Sequence, residues 1–80
     1  MKRVHVTYFA MLREERGCSE ETVSTEAGSA ADLFSELTAS KPFSVGRERL
    51  RVAINDAFAP WDTALKEGDR VALIPPVAGG

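Results

Sequence analysis

One segment, residues 29–41, has the only clear helical pattern in the sequence, and it constrains the fold more than any other feature. Four apolar residues recur there at positions i, i+3, i+4 and i+7, which places them on one face of a helix. They are Ala30, Leu33, Phe34 and Leu37. Ser29 and Asp32 have the spacing of a capping box, so we expect the helix to begin at Ser29. Pro42 disfavours a helical conformation at the residue before it, which predicts that the helix ends there.

The half of the chain before this helix is predicted to form two strands. Residues 3–12 are rich in β-branched and aromatic side chains, and their alternation predicts a first strand. Its core face would carry Val4, Val6, Tyr8 and Ala10, and its outer face His5, Thr7, Phe9 and Met11. Residues 13–17 are charged and end in a glycine, which is typical of a turn. Residues 20–25 alternate weakly and predict a second, antiparallel strand.

The half of the chain after the helix is predicted to form two more strands. Residues 50–55 alternate and predict the third strand. A turn signal follows it, and Pro60 argues against a central strand in the segment that comes next. Residues 70–74 predict the last strand, with Ala72 and Ile74 facing away from the core.

The order of these elements indicates the fold class. A sheet of four to five strands needs a cover on one face, and the single long helix can supply it. A hairpin, a crossing helix and a returning strand predict an α+β protein with a mixed sheet in the ubiquitin-like β-grasp arrangement. We expect one domain, residues 1–80, with a flexible C-terminal tail at residues 75–80.

Composition limits the classes of function. The 80 residues include 44% hydrophobic and 28% charged side chains, which is typical of a globular domain. The net charge of −2 and the lack of a basic run argue against nucleic-acid binding. No apolar run approaches the ~20 residues that a membrane helix needs, and the N-terminus lacks the apolar region of a signal peptide. With Cys18 as the one cysteine, these observations predict a cytoplasmic protein that binds no membrane.

The last six residues, 75–80, carry the most informative functional group, which is the α-carboxylate of Gly80. Two prolines restrict the base of this segment, since each fixes φ and removes a backbone donor. Gly79 and Gly80 lack a Cβ, so the end of the segment can enter a narrow channel. Six extended residues span up to about 20 Å, enough to carry the carboxylate into a partner protein. From the residues alone, a frayed terminus is an equal alternative.

The side chains do not indicate an enzyme that acts alone. His5 is the single histidine and has no spaced partner ligands, so it predicts neither a metal site nor a catalytic base. Phe9 is a large aromatic residue on the outer face, where it either packs under a loop or belongs to an apolar contact patch. We expect no bound cofactor and no bound metal.

Three stretches of the sequence together resemble one family. The first lies near the start of the chain, the second in the third predicted strand, and the third runs from the turn before the last strand to Gly80. They are Tyr8-Phe9-Ala10-x-Leu12-Arg13-Glu14-x-x-Gly17, Ala53-x-Asn55, and Leu65-x-x-Gly68-Asp69-x-Val71-Ala72-x-Ile74-Pro75-Pro76-Val77-x-Gly79-Gly80. Along nearly its full length, the chain resembles the small subunits of molybdopterin synthase, the MoaD-type sulfur carriers. Ala78 departs from the family pattern, because serine or threonine is frequent at that position.

The resemblance implies a chemistry for the C-terminus. A MoeB-type adenylating enzyme would consume ATP and convert the Gly80 carboxylate into an acyl-adenylate. A sulfur donor would then displace AMP and leave a thiocarboxylate, with Gly79 beside it in the reacting segment. The large subunit of molybdopterin synthase, of the MoaE type, would deliver this sulfur to cyclic pyranopterin monophosphate, and two such transfers build the dithiolene. Binding in that subunit supplies the proximity, and the general acid and base groups would belong to it.

The resemblance also implies a contact surface. In this family an apolar patch on the sheet, near the tail, docks both the activating enzyme and the large subunit. The matching residues here are Phe9, Phe58 and Ile74, with Pro75, Pro76 and Val77 at the exit of the tail. Arg13 would add a polar contact at the rim.

Three alternatives stay open from the sequence. The same end chemistry could deliver sulfur for thiamine or cysteine synthesis. A ubiquitin-like modifier would instead join Gly80 to a lysine through an isopeptide bond. A plain interaction module would have an inert tail, and adding one residue after Gly80 would then change nothing.

Overall fold

The computed structural model describes residues 1–76, which form five strands and two α-helices in one arrangement. In chain order the elements are β1 (Lys2–Tyr8), α1 (Met11–Arg16), β2 (Glu20–Thr25), α2 (Ala30–Ser40), a 3-10 turn (Arg47–Arg49), β3 (Arg51–Ile54), β4 (Ala57–Ala59) and β5 (Arg70–Ile74). The strands form one sheet in the order β2-β1-β5-β3-β4. β1 and β5 are parallel, whereas the other neighbouring strands are antiparallel. The predicted α+β fold, a mixed β-grasp sheet with one main helix, is confirmed.

Helix α2 has the cap and the buried face that the sequence predicts. The Ser29 hydroxyl accepts a hydrogen bond from the backbone N–H of Asp32 at 3.2 Å. The helix ends at Ser40, before Pro42. Its buried residues are Ala30, Leu33, Phe34 and Leu37, and they share one core with the inner faces of β1, β3 and β5. Neither described helix is long and apolar enough to cross a membrane.

Strand β5 lies in the middle of the sheet, between β1 and β3. Val71 and Leu73 point into the core and are each 1% exposed. Ala72 and Ile74 point to the opposite face, as predicted, and are half-buried. The segment that follows Ile74 therefore starts from a strand that is hydrogen-bonded on both sides.

The first strand ends earlier than predicted. β1 stops at Tyr8, and residues 11–16 form the short helix α1 where we expected a continuing strand and a charged turn. The predicted core position of Ala10 is wrong, because Ala10 is exposed and has φ 52 and ψ −128, which interrupts the strand alternation. Leu12 is fully buried and anchors α1 to the core. Gly17 ends the helix with φ 85, the positive φ that its turn position predicts.

Strand β4 forms within the segment that the sequence analysis left as turns. Asn55 and Asp56 have φ values of 53 and 71, and two successive positive φ values are typical of a type I′ hairpin turn. β4 has three residues and lies at the edge of the sheet, with Pro60 directly after it. The prediction that Pro60 excludes a central strand is therefore confirmed.

Candidate functional site

The face of the sheet opposite α2 is apolar at the end where β5 stops. Cross-strand pairing places Thr7 beside Ala72, Ala72 beside Ala53, and Ala53 beside Phe58. The two residues in the centre of this row are alanines, so the larger aromatic side chains around them stand above the sheet surface. The arrangement leaves a shallow apolar surface that no described element covers.

Two aromatic residues dominate this surface. Among residues 1–76, Phe58 is 66% exposed and Phe9 is 45% exposed, and the other strongly exposed large apolar residue is Met1. Ile74 and Pro75 are half-buried, and Pro76 is exposed. We call the following set the apolar face: Phe9, Phe58, Ala72, Ile74, Pro75 and Pro76. A contiguous exposed apolar surface on a small protein indicates a binding site.

A groove of about 580 Å³ lies where β5 runs into the two prolines. Phe58, Ile74 and Pro75 form part of its apolar lining, and the charged residues of the lining are Glu48, Arg49 and Arg51. The guanidinium carbon of Arg51 lies 5.5 Å from the centroid of the Phe58 ring, which is within the range of a cation–π contact. The groove therefore offers an apolar floor and a charged rim, with two arginines and one glutamate, beside the start of the tail.

Phe9 lines a second, smaller hollow of about 310 Å³ on the same face. Ala53 and Ala72 contribute to its wall, together with an ion pair. In that pair, Arg70 Nη2 lies 2.8 Å from Asp56 Oδ2, and both side chains are exposed. The structure thus brings Phe9 and Phe58 to the same face, in neighbouring hollows.

Arg13 is the one described residue among the predicted contacts that the structure does not bring to either hollow. It lies on α1 and is exposed. Its backbone N–H donates to the carbonyl of Ala10 at 3.1 Å. Its predicted contact with a partner stays a prediction.

A partly buried polar network supports the end of β1, next to Phe9. The Tyr8 hydroxyl donates to Glu21 Oε2 at 2.5 Å, and Arg16 Nε donates to the same oxygen at 2.7 Å. Arg16 also donates through Nη1 to the backbone carbonyl of Leu37 at 3.0 Å. These bonds connect β1, α1, β2 and α2, so Tyr8, the residue next to Phe9, belongs to a network that joins four elements.

The protonation states of Tyr8 and Glu21 in this network do not change near neutral pH. Burial, followed by the hydrogen bond that it donates to Glu21, raises the pKa of Tyr8 well above its ordinary value of 10.0. Burial also acts to raise the pKa of Glu21, but the hydrogen bonds from Tyr8 and Arg16 outweigh it and lower the pKa below 4.5. Tyr8 is therefore neutral and Glu21 is charged, as their hydrogen bonds require.

Three of the predicted site residues lie outside the described residues. They are Val77, Gly79 and Gly80. Their roles stay predictions, and the structure supplies the position of Pro76, from which they continue.

Sequence reasoning missed two residues at this site. Arg51 lies level with Ile74 across the β3–β5 pair, and the alternation along β3 carried enough information to place it on the outer face. Ala10 forms the sharp turn after Phe9, and its residue type gave no signal for a positive φ.

Comparison with known proteins identifies the family. The sequence model of the ThiS family matches residues 6–80. The chain belongs to the ThiS family. It is 38% identical to the molybdopterin synthase sulfur carrier subunit of Mycobacterium tuberculosis, with 100% of both chains covered. It is also 38% identical to the subunit of the same name from Chlamydomonas reinhardtii, with 98% of this chain and 99% of the relative covered.

Solved structures support both the fold and the family. A Pyrococcus furiosus protein assigned as subunit 1 of molybdopterin converting factor is 31% identical, with a TM-score of 0.81 over 96% of this chain and 100% of that chain. The small archaeal modifier protein 1 of Methanosarcina acetivorans is 29% identical, with a TM-score of 0.81 over 100% of this chain and 98% of that chain. A complex of subunits 1 and 2 of the Helicobacter pylori molybdopterin-converting factor contains a chain that is 26% identical, with a TM-score of 0.69 and coverage of 98% and 99%. The predicted resemblance to the molybdopterin synthase small subunits is confirmed.

Proposed function

We propose that this protein is the sulfur carrier subunit of a molybdopterin synthase. The main observation behind the proposal is the apolar face, which includes Pro75 and Pro76. It lies where the central strand of the sheet leads into the Gly-Gly end. The full-length similarity to sulfur carrier subunits of that name supports it. A carrier needs a surface that docks a partner and a thin segment that reaches into it, and this chain combines the two.

The proposed reaction takes place at Gly80. Its carboxylate attacks the α-phosphorus of ATP in a MoeB-type adenylating enzyme, releases pyrophosphate and forms an acyl-adenylate. Hydrosulfide, as the sulfur donor, then attacks the acyl carbon and expels AMP, and loss of a proton leaves the thiocarboxylate. In the large subunit, the thiocarboxylate sulfur passes to cyclic pyranopterin monophosphate, and a water oxygen restores the carboxylate. The carrier binds no cofactor in this scheme, and ATP is consumed by the activating partner.

The geometry of β5 suits a carrier of this kind. Hydrogen bonds to β1 and β3 fix the strand up to Ile74, and the prolines that follow restrict φ. A partner that binds the apolar face therefore meets the tail at a defined starting point. From Pro76, the four remaining residues extend by about 13 Å at most, which sets the depth of the partner's channel.

We propose that the apolar face docks the large subunit and the activating enzyme in turn. Buried aromatic residues dominate the energetics of most protein interfaces, and Phe9 and Phe58 are the large aromatic residues that this face exposes. At the rim of the groove Arg49 and Arg51 outnumber Glu48, which favours a partner with acidic residues around its apolar pocket. We propose a cytoplasmic location, since the activating enzyme consumes ATP and the free thiol of Cys18 fits a reducing compartment.

A second candidate function is protein modification. The similarity in fold and sequence to a small archaeal modifier protein favours it. Both functions activate Gly80, but a modifier ends as an isopeptide-linked adduct on lysine, whereas a carrier returns to its free carboxylate. A sulfur carrier for thiamine or cysteine synthesis would share the activation step and differ in the acceptor enzyme.

Reconstitution tests the proposal. The thiocarboxylated protein is mixed with a molybdopterin synthase large subunit and cyclic pyranopterin monophosphate, and the dithiolene product is measured by fluorescence after oxidation. We expect product from the full chain and none from a variant that lacks Gly80. Normal thiocarboxylate formation with no product, and adducts on lysine in cell extract, would favour the modifier instead.

A further inference from the structure

The turn after β1 has a backbone conformation that its residue does not favour. Ala10 has φ 52 and ψ −128, which match the first central position of a type II′ turn. The N–H of Leu12 donates to the carbonyl of Phe9 at 3.1 Å and closes that turn. Glycine is the usual residue at this position, because a Cβ is disfavoured there.

The rest of the chain shows that this position is unusual. Among residues 1–76, the other positive φ values belong to Gly17, Gly68, Asn55 and Asp56. Glycine has no Cβ, and Asn and Asp tolerate positive φ more readily than other side chains do. Ala10 is thus the one described residue that holds a positive φ without either advantage.

Packing in the core does not explain why residue 10 is alanine and not glycine. Ala10 is exposed, and the turn is held from both ends by Tyr8 at 1% and Leu12 at 0% exposure. The N–H of Tyr8 also donates to the carbonyl of Ser19 at 2.8 Å. A glycine would close the same turn between the same two anchors. Backbone strain of this kind is often retained at binding sites, where it fixes a conformation in advance.

We propose that Ala10 is a positioning residue that fixes Phe9 for docking. The buried side chains of Tyr8 and Leu12 hold the turn in this conformation, and the Cβ of Ala10 leaves it a narrower range of φ and ψ than glycine would have, so Phe9 keeps one orientation on the apolar face. Binding then orders little of the chain, because Phe9 is already in place. This inference rests on the proposed function, since the partner that binds Phe9 is the large synthase subunit.

Two variants at position 10 test the inference. Ala10→Gly relieves the strain but loosens the turn. A chemically synthesised chain with D-alanine at position 10 also relieves the strain, and it keeps the turn restricted because D-alanine favours positive φ. Thermal unfolding and calorimetric affinity for the large synthase subunit of the same organism are measured for both. Ala39→Gly, on the exposed surface of α2, is the matched control for an alanine-to-glycine change away from the apolar face.

Only in Ala10→Gly do we expect a gain or no change in stability together with a loss of affinity. Ala10→Gly should melt at or above the wild-type temperature and bind the large subunit about three- to ten-fold more weakly, as ordering one loosened side chain requires. The D-alanine chain should melt higher and bind like the wild type. Ala39→Gly should melt lower and bind like the wild type, because glycine weakens a helix.

Two results would overturn the inference. The first is wild-type affinity in Ala10→Gly, and the second is a D-alanine chain that binds as weakly as the glycine variant. A wild-type chain that does not bind the large subunit would contradict the proposed function itself, and with it this inference.

Discussion

Replacing Phe58 with alanine should weaken partner binding and leave the stability of the fold nearly unchanged. A phenylalanine side chain offers about 200 Å² of surface, so 66% exposure leaves about 130 Å² that a partner can bury. At about 25 cal/mol per Å², full burial contributes about 3 kcal/mol, and partial coverage lowers this to about 2 kcal/mol. We therefore expect Phe58→Ala to weaken binding of the large subunit by about 30- to 150-fold.

The same substitution should hardly affect the fold. Phe58 lies on the edge strand β4 and contacts Arg51, and losing that contact and the strand propensity costs about 1 kcal/mol or less. Calorimetry measures the affinity, and urea unfolding measures the stability. Phe34→Ala is the matched control: Phe34 is 7% exposed and packs against Phe43 and Trp61, so the control should lose about 3–5 kcal/mol of stability. A Phe58→Ala protein that binds normally but unfolds several kcal/mol more easily would refute the reasoning.

Two further predictions concern stability. Because the folded-state pKa of Glu21 is lowered, its charged form stabilises the fold above about pH 4.5, and this contribution disappears as pH falls through the folded pKa. Glu21→Gln weakens the hydrogen bonds of Tyr8 and Arg16, so it should lower the free energy of unfolding by about 1–3 kcal/mol at pH 7. In urea titrations at pH 3, the difference in unfolding free energy from the wild type should be smaller. Ser29→Ala removes the cap of α2 and should cost about 1 kcal/mol by thermal unfolding, and an unchanged melting temperature would show that the cap is dispensable.

The elements that the sequence predicted well are those with a repeated local signal. Helix α2 combines a cap at Ser29, an apolar face and a following proline, and the structure shows each of them. Strand β5 alternates cleanly, and its predicted bounds, 70–74, are those observed. The same alternation placed Ala72 and Ile74 opposite the core, whereas the contact surface with Phe9 and Phe58 was expected from the family resemblance.

The errors lie where one residue overrides the local pattern. The alternation of β1 continues through Phe9 to Met11, so nothing in it indicated that Ala10 would adopt a positive φ and end the strand. α1 is six residues long with one buried residue, too short to show a helical period. β4 has three residues beside a proline, and its strand conformation comes from pairing with β3. Tertiary contacts determine the conformation of these elements, and the local sequence pattern carries no signal of those contacts.

The central claim is that Gly80 carries sulfur, and intact-mass spectrometry tests it most directly. The protein is incubated with ATP, a sulfide source and a MoeB-type adenylating enzyme, with a chain lacking Gly80 as the control. We predict a mass gain equal to the replacement of one oxygen by one sulfur, located at Gly80 and absent from the control. An unchanged mass, with an activating enzyme that thiocarboxylates a known carrier under the same conditions, would contradict the account.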